Sequence, residues 1–321
     1  MVCVNFQLKV LKRTLWLKKE LLENLTMIQT KLGIIGGSGL YQFPQLQDAK
    51  WIKVQSPWGE VSDDLLFGKI GDLEIVFLPR HGRKHRLSPS YINYRANIDA
   101  LKQAGVTDIV SVSACGSLRE DLPPGAFLLV DQFIDMTKSR NKSFFGDGIV
   151  AHVSFAEPIS QRLVDQLSTV MTSKKIQYQA TGTYVCIEGP QFSTKAESQL
   201  YRSWSCDVIG MTNLPEVQLA REAEIPYATL AMVTDYDCWH PDHDAVTVEQ
   251  VSKIMAQNTL IAKEIIAEFA IHFPQHREAC SSGADTALDG AIMSSLQSLE
   301  PEKLEKFTTI AGRLLKEQGG K

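Results

Sequence analysis

Short apolar runs rich in β-branched residues alternate with longer helical stretches between residues 31 and 270. Runs of this kind are typical of strands buried on both faces of a sheet. Their alternation with helices predicts an α/β fold, with a central mixed β-sheet flanked by helices. Because the sequence contains no internal repeat and no low-complexity linker, we expect a single domain over residues 27–275. A helical C-terminal extension is expected over 276–321, with helices at 284–299 and 301–315.

Composition excludes several classes of protein. The 321 residues are 44% hydrophobic and 22% charged, with a net charge of −4. This balance does not suit binding to nucleic acid or to an anionic membrane, and no apolar run is long enough to span a bilayer. The six cysteines are scattered without a CxxC pair. That pattern indicates reduced thiols and a cytoplasmic protein.

Residues 1–26 differ from the rest of the chain. They carry five lysine or arginine residues against two glutamates, and their leucines recur at helical spacing. Lysines interrupt the apolar run, so this is not a secretory signal, and the two acids do not suit a transit peptide. We expect an N-terminal extension outside the native fold, with the domain beginning at Met27. A basic amphipathic anchor is the alternative.

Two carboxylates, Asp235 and Asp237, directly follow the apolar run 230–234. We therefore expect them at the carboxyl edge of the sheet, where open α/β folds bind ligands. Carboxylates at such a place are costly unless a partner uses them. A pair of acids suits a ligand with N–H donors and a ring nitrogen that needs a proton. A purine base has both.

The sequence Gly-Gly-Ser-Gly at 36–39 follows a strand-like run. Glycines there allow backbone N–H groups to point at an anion, and Ser38 adds a hydroxyl donor. A dinucleotide-binding fingerprint would need glycine where this chain has Gln42, so a nucleotide-binding or dehydrogenase domain is the weaker interpretation. A tight turn without a ligand is the structural alternative.

Arg80 and His81 follow another strand end. Arg80 can fork onto a phosphate, and His81 can donate a hydrogen bond to it. His81 and His85 also have a spacing that on a helix could ligate a metal. Pro79 and Gly82 disfavour a helix, however, so we predict no metal site.

Further strand ends offer small, polar or aromatic side chains. Ser113 begins a run of small residues suited to an anion, and within it Cys115 is interpreted as a buried thiol rather than a nucleophile. Phe192 can stack on a planar base or belong to the core. Met211 and Thr212 place a soft apolar side chain and a hydroxyl at another strand end. Together these strand ends predict a site for an anion beside a nitrogenous base.

Six ordered segments over residues 31–270 resemble the trimeric purine nucleoside phosphorylases, most closely their S-methyl-5'-thioadenosine phosphorylase branch. The segments are Gly-Ile-Ile-Gly-Gly-Ser-Gly (33–39), Arg-His-Gly-Arg-Lys-His (80–85), Ala-Cys-Gly-Ser-Leu-Arg-Glu (114–120), Asp-Gln-Phe-Ile-Asp (131–135), Ile-Glu-Gly-Pro-Gln-Phe-Ser (187–193) and Thr-Asp-Tyr-Asp-Cys-Trp (234–239). The last segment separates the branches, because phosphorylases of 6-oxopurines have an Asn-and-Glu pair instead of Asp-x-Asp. A carboxylate is the natural acceptor for a 6-amino group.

The resemblance implies a role for each matched position. Phosphate would be held by Ser38, Arg80, His81, Ser113, Ala114 and Thr212. The nucleoside would contact Phe192, Met211, Asp235, Asp237 and His152. Ser193 at the base and Val248 at the 5'-methylthio end would add specificity. Ser252 falls where the family tends to be apolar near that end of the pocket.

The resemblance also implies a reaction, the phosphorolysis of S-methyl-5'-thioadenosine to adenine and 5-methylthioribose 1-phosphate in methionine and purine salvage. Phosphate is then a co-substrate, no cofactor is needed, and a homotrimer is expected. Asp235 and Asp237 would be catalytic. Asp235 would protonate adenine N7, with its pKa raised by burial and by the charge of Asp237. The alternative is a purine nucleoside phosphorylase that acts on adenosine or inosine.

Overall fold

The structure, a computed structural model, describes residues 27–37, 39–41, 44–146, 148–241, 248–294 and 300–319. The predicted extension 1–26 and the positions of Ser38 and Gln42 lie outside these ranges, as does the side chain of Val248. Within the described part, eleven strands form one mixed sheet, and two short strands pair separately. The predicted α/β fold is confirmed.

The strands are β1 (Ile28–Gln29), β2 (Leu32–Gly36), β3 (Gln47–Ile52), β4 (Leu65–Ile70), β5 (Leu73–Pro79), β6 (Asp108–Ser117), β7 (Phe127–Val130), β8 (Gln132–Asp135), β9 (Tyr178–Gln179), β10 (Thr183–Cys186), β11 (Val208–Gly210), β12 (Tyr227–Asp235) and β13 (His276–Arg277). The helices are α1 (Tyr94–Gln103), α2 (Gln161–Ser173), α3 (Lys195–Ser203), α4 (Asn213–Glu222), α5 (Val248–His272), α6 (Pro301–Lys306) and α7 (Gly312–Gly319). The helical stretches that the sequence predicts at 93–104, 157–173, 193–205, 214–223 and 248–270 correspond to α1–α5 and differ from them only at their ends.

Strand β6 organises the sheet. On one edge it pairs in parallel with β12 over most of its length. On the other edge it pairs in parallel with β2 only as far as Ser111, and antiparallel with β11 only from Gly116. Residues 112–115 therefore lie beside an opening between the end of β2 and the end of β11. An opening of this kind at strand ends is where α/β sheets bind ligands.

Helices cover the sheet and close one large hydrophobic core. Strands β2, β6 and β12 are buried along almost their whole length, as their continuous apolar runs predict. Helices α2 and α5 pack on each other and on β12, while α1 packs on α4 and on β5. A smaller cluster around Val185, Tyr201 and Ile209 lies under α3. The strand ends that carry polar residues are thus held by a rigid frame.

The chain after residue 275 packs on the domain. Strand β13 pairs antiparallel with β1, and the buried Arg277 forms ion pairs with Asp108 at 2.8 Å and Asp285 at 2.7 Å. Further on, Phe307 is buried against the rings of Trp58 and Phe145. The turns between α6 and α7 therefore bury Phe307, Ile310 and Ala311 against the domain.

The predicted helix at 284–299 is wrong in its described part. The chain forms a short 3₁₀ turn at Ala284–Thr286, continues in turns, and makes a bridge between Ile292 and Ala151. Gly290 has a φ of +67°, which a continuing α-helix does not allow. The predicted helix at 301–315 is interrupted by turns between α6 and α7.

Candidate active site

A pocket of about 590 Å³ lies at the opening beside β6. Residues 112–116 of β6 line it, together with the ends of β2, β5, β11 and β12 and part of α5. The sequence-predicted residues among its lining are Arg80, His81, Ser113, Ala114, Phe192, Met211, Thr212, Asp235 and Asp237. The parallel strands β2, β5, β6 and β12 bring their carboxyl ends toward this edge, and the antiparallel strand β11 runs into the opening from the other side.

Arg80 lies at one end of the pocket with its guanidinium almost fully buried, and a buried glutamate neutralises it. Its Nε and Nη2 donate to the two carboxylate oxygens of Glu216 at 2.7 and 2.9 Å. Nη1 donates to the carbonyl of Val112 at 3.2 Å, and Nη2 also donates to the hydroxyl of Ser111. These bonds occupy four of the five N–H donors of an arginine. The guanidinium is therefore fixed in place, and a single N–H remains for an anion.

His81 lines the same end. Its Nδ1 lies 2.9 Å from the carbonyl oxygen of Leu87, and its ring stacks on that of His85 with centroids 4.5 Å apart. Burial and the positive charge of Arg80 lower the pKa of His81 to about 4. The imidazole is therefore neutral at neutral pH.

Two hydroxyl groups and the backbone of Ala114 complete the end of the pocket that contains Arg80. The Oγ atoms of Ser113 on β6 and Thr212 at the start of α4 lie 3.1 Å apart. Both residues are buried, and Ala114 adds its backbone beside them. Thr212 lies just before α4, whose first residues are kinked at Leu214. The end that contains Arg80 is a site for a small anion.

Asp235, the last residue of β12, and Asp237 stand at the other end. The Oδ1 of Asp235 accepts a hydrogen bond from the Asp237 backbone N–H at 2.8 Å, and its Oδ2 accepts one from the Thr234 hydroxyl at 2.7 Å. Gly116 permits this arrangement, because a Cβ at that position would lie 2.7 Å from Oδ1 of Asp235. The local turn therefore fixes the direction of the Asp235 carboxyl.

The two carboxyls differ in what raises their pKa. Burial raises the pKa of Asp235, and the hydrogen bonds from Thr234 and from the Asp237 N–H oppose the rise. Burial is also the main cause of the raised pKa of Asp237, and the negative charge of Asp235 adds to it. Because the repulsion between two carboxylates is mutual, loss of a proton from one of them disfavours loss of a proton from the other. Both groups retain a proton to higher pH than an exposed aspartate does.

An apolar wall lies between the two ends. Phe192 lines the pocket with half of its surface exposed, so it is not a core residue. The Met211 side chain lies against Gly189, whose φ of +67° and lack of a side chain leave room for it. A Cβ at position 189 would meet the Met211 Sδ at 2.5 Å. A planar ring and a sugar fit against such a wall.

The chain is similar to known proteins in sequence and fold. A model of the family described as "Phosphorylase superfamily" matches residues 31–270. S-methyl-5'-thioadenosine phosphorylase of Bradyrhizobium diazoefficiens is 56% identical over 90% of this chain and 100% of that protein. The enzyme of that name from Rhodospirillum rubrum is 54% identical over 89% of this chain and 98% of its own.

Solved structures agree with these relatives. A methylthioadenosine phosphorylase from an antarctic soil metagenomic library is 45% identical, with a TM-score of 0.81 over 88% of this chain and 99% of that one. The methylthioadenosine phosphorylase of Schistosoma mansoni in complex with adenine is 36% identical, with a TM-score of 0.74 over 84% and 100% of the two chains. The chain belongs to the S-methyl-5'-thioadenosine phosphorylase family, within the phosphorylase superfamily.

Some sequence-predicted residues do not line the pocket. His152 is exposed, and its backbone N–H donates to the carbonyl of Ala291 at 2.9 Å, away from the site. Ser193 is adjacent to Phe192, and its hydroxyl is buried without a hydrogen-bond partner among the described residues. Ser252 is exposed on α5.

The sequence analysis missed part of the pocket. Met255 and Thr259 of α5 line it, and so do His85 and Arg86 in the loop after β5. The helical spacing of Met255 and Thr259 from Val248 was the signal that could have identified them. They lie seven and eleven residues after Val248, on the same face of the helix.

Glu188 has a positioning role that its motif did not indicate. Its carboxylate accepts hydrogen bonds from the hydroxyl of Ser90 and from the backbone N–H of Ser139 at 3.2 Å, and forms an ion pair with Arg140 at 3.4 Å. Hydrogen bonds from Ser90 and from the 138–139 backbone lower its pKa to about 2, against the effect of burial. Glu188 therefore joins the segment after His81 to the loop at 138–140 and does not line the pocket.

The described residues form neither a metal site nor a membrane-spanning helix. Among them, no group of three or more His, Cys, Asp or Glu side chains is arranged to hold a metal ion. No helix among the described residues has the length and apolar character to cross a membrane.

Proposed function

We propose that this protein catalyses phosphorolysis of S-methyl-5'-thioadenosine, releasing adenine and 5-methylthioribose 1-phosphate. One observation carries the proposal. A single pocket holds an anion site at one end and two carboxyls with raised pKa at the other. Relatives at 54–56% identity that cover almost the whole chain have this activity in their names.

The anion end would hold phosphate under the sugar. Cleavage of an N-glycosidic bond builds positive charge on the sugar ring, as in glycoside hydrolysis. A phosphate held by Arg80, Ser113, Thr212 and the strand-end N–H groups places negative charge beside C1' and then forms the new C–O bond. Ser38, which follows the lining residue Gly37 in the sequence, is proposed as a further hydroxyl donor.

The carboxyl end would make adenine a better leaving group. Both carboxyls line the pocket and burial favours the protonated form of each, and we assign proton donation to N7 to Asp235, as the sequence predicts. Asp237 would accept from the 6-amino group. The buried hydroxyl of Ser193, which has no partner among the described residues, would be satisfied by the base.

The 5' end of the nucleoside would face α5. The hydroxyl of Thr259 donates to the Met255 carbonyl at 2.7 Å, so it offers no proton to the substrate. A Thr259 hydroxyl that is already bonded within the helix favours a thioether over a hydroxyl beside it. Relatives from Schistosoma mansoni are nevertheless named adenosine/methylthioadenosine phosphorylases, at 38% identity. Adenosine is therefore the second candidate substrate, and the ratio of kcat/KM for the two nucleosides distinguishes them.

The protein would act as a homotrimer in the cytoplasm without a cofactor. Tyr91, Val150 and Met293 expose large apolar surfaces, and Val150 and Met293 are hydrogen-bonded neighbours close to His152. Such a patch suits burial against another copy of the chain. His152 would then reach a neighbouring pocket instead of its own. Sedimentation of the protein and of a Met293→Asp variant measures the oligomeric state, and a wild-type monomer would contradict this part of the proposal.

The decisive experiment is an assay of adenine release from S-methyl-5'-thioadenosine with and without inorganic phosphate. We expect release that depends on phosphate and produces the sugar 1-phosphate in equal amount. Release without phosphate, or no release at all, would reject the proposed reaction. Inosine serves as the control nucleoside, because its 6-oxo group is an acceptor and does not suit Asp237.

A further inference from the structure

The orientation of the His81 ring determines which kind of hydrogen bond it can make in the pocket. A carbonyl oxygen can only accept, so the contact of 2.9 Å with Leu87 requires that Nδ1 carries a proton and donates it. The other nitrogen, Nε2, lies across the ring and makes no hydrogen bond with the described residues. In the neutral imidazole this nitrogen has a lone pair and no proton, so it accepts.

The surroundings of the ring keep it neutral. Burial and the charge of Arg80 disfavour an imidazolium, and His85, stacked on the ring, acts in the same direction. Glu216 opposes them, but its carboxylate is already engaged by two hydrogen bonds from Arg80. Arg86, the other arginine in the lining, is also positively charged, so it does not favour an imidazolium.

The rest of the anion site makes this acceptor important. The charge of Arg80 is balanced by Glu216 inside the protein, and four of its N–H donors are occupied. The site is therefore not a simple cationic trap that holds any dianion by charge. What it offers is one N–H of Arg80, two hydroxyls, backbone N–H groups and one acceptor.

We infer that Nε2 of His81 accepts a hydrogen bond from a P–OH group of the bound phosphate, so that the site selects an oxyanion that keeps a proton. This inference rests on the proposed phosphorolysis. The sequence indicated instead that His81 donates to the phosphate. The difference arises because the Leu87 carbonyl, which sequence patterns do not place, takes the proton-bearing side of the ring.

Sulfate is the natural probe, since it has the shape and charge of hydrogen phosphate but carries no proton at neutral pH. Its oxygen would face the Nε2 lone pair, and a buried acceptor would lose its partner. Sites built to bond a substrate hydroxyl reject analogues that lack it. Arsenate retains a proton at neutral pH, so it should bind as phosphate does.

The test compares the inhibition constant of sulfate with the KM of phosphate in the adenine-release assay at neutral pH, and with the KM of arsenate, which can replace phosphate as the nucleophile and also release adenine. We expect sulfate to bind at least tenfold more weakly than phosphate, about 1.4 kcal/mol, and arsenate to bind within threefold of it. Sulfate that binds within threefold of phosphate would overturn the inference. Absence of phosphate-dependent release would reject the proposed function instead, so the two failures are distinct.

A variant tests whether His81 is responsible. In His81→Gln the amide can rotate to present either its N–H or its C=O, so the ratio of sulfate to phosphate binding should fall to within threefold. The matched control His272→Gln, at an exposed histidine on the last turn of α5, should keep the wild-type ratio. A His81→Gln protein that retains the wild-type ratio would assign the selectivity to another group. Isothermal titration with phosphate and sulfate gives the same ratio without turnover.

Discussion

Replacement of Asp235 by asparagine removes the proton donor while changing few contacts. The Thr234 hydroxyl has one proton and two acceptors, Oδ2 of Asp235 at 2.7 Å and the Cys115 carbonyl at 3.1 Å. In the variant this hydroxyl can donate to Cys115 and accept from the new amide N–H. The amide oxygen can keep the bond from the Asp237 N–H. We therefore expect a change in the free energy of unfolding of less than about 1 kcal/mol.

The catalytic effect should be much larger than the structural one. General acid catalysis contributes a factor of about 10²–10⁴, or about 3–5 kcal/mol. We expect kcat/KM for S-methyl-5'-thioadenosine to fall by that factor in Asp235→Asn. Because Asp235 must be protonated to act, wild-type activity should fall as pH rises through its raised pKa, and the variant should lose this dependence.

A substrate whose leaving group needs no proton makes the assay specific. With a 4-nitrophenyl methylthioriboside, Asp235→Asn should retain most of the wild-type rate, since nitrophenolate leaves unprotonated. Asp237→Asn is the comparison, because it removes a neighbouring carboxyl with the same chemistry. A loss of less than about tenfold with the nucleoside, about 1.4 kcal/mol, would refute the acid role of Asp235. So would equal losses with both leaving groups.

Two further variants test the frame around the site. Burial raises the pKa of Glu222 from 4.5 to about 7, so its contribution to stability is fully present below pH 4.5 and is lost as pH rises through 7. Denaturant titration of the wild type and of Glu222→Gln measures this effect. Between pH 4.5 and 8 the free energy of unfolding of the wild type should fall by up to about 3 kcal/mol relative to that of the variant. Parallel pH profiles of the two proteins would contradict this. In Gly116→Ala the new Cβ would meet Oδ1 of Asp235 at 2.7 Å, so kcat/KM should fall at least tenfold. Gly312→Ala, where a Cβ has no neighbour within 4 Å, should retain full activity.

The strand ends could be predicted because their signals are local. Continuous apolar runs identify buried strands, and the polar residues that follow them must come to the edge of the sheet. Asp235, Arg80, Ser113 and Thr212 were found in this way, and all four line one pocket. Helix α5 could be predicted from a local signal too, because its apolar residues recur at helical spacing within 248–270.

The partners of these residues could not be predicted. Glu216 is separated from Arg80 by 136 positions, and nothing near either residue indicates the pair. The turn of His81 toward Leu87 depends on the path of the loop after β5. Glu188 lies in a conspicuous motif but binds Ser90 and the 138–140 loop, which only the packed structure brings to it.

The amino-acid sequence determined the α/β frame, the order of its strands along the chain and the residue types at the strand ends. These depend on periodicity and on apolar runs, which are properties of adjacent residues. The tertiary structure decided where β2 ends and β11 begins along β6, and thereby where the pocket opens. It also decided the charge and proton states in that pocket, because burial and ion pairing depend on groups far apart in the chain. Arg80 is thus an internally neutralised donor, and His81 an acceptor.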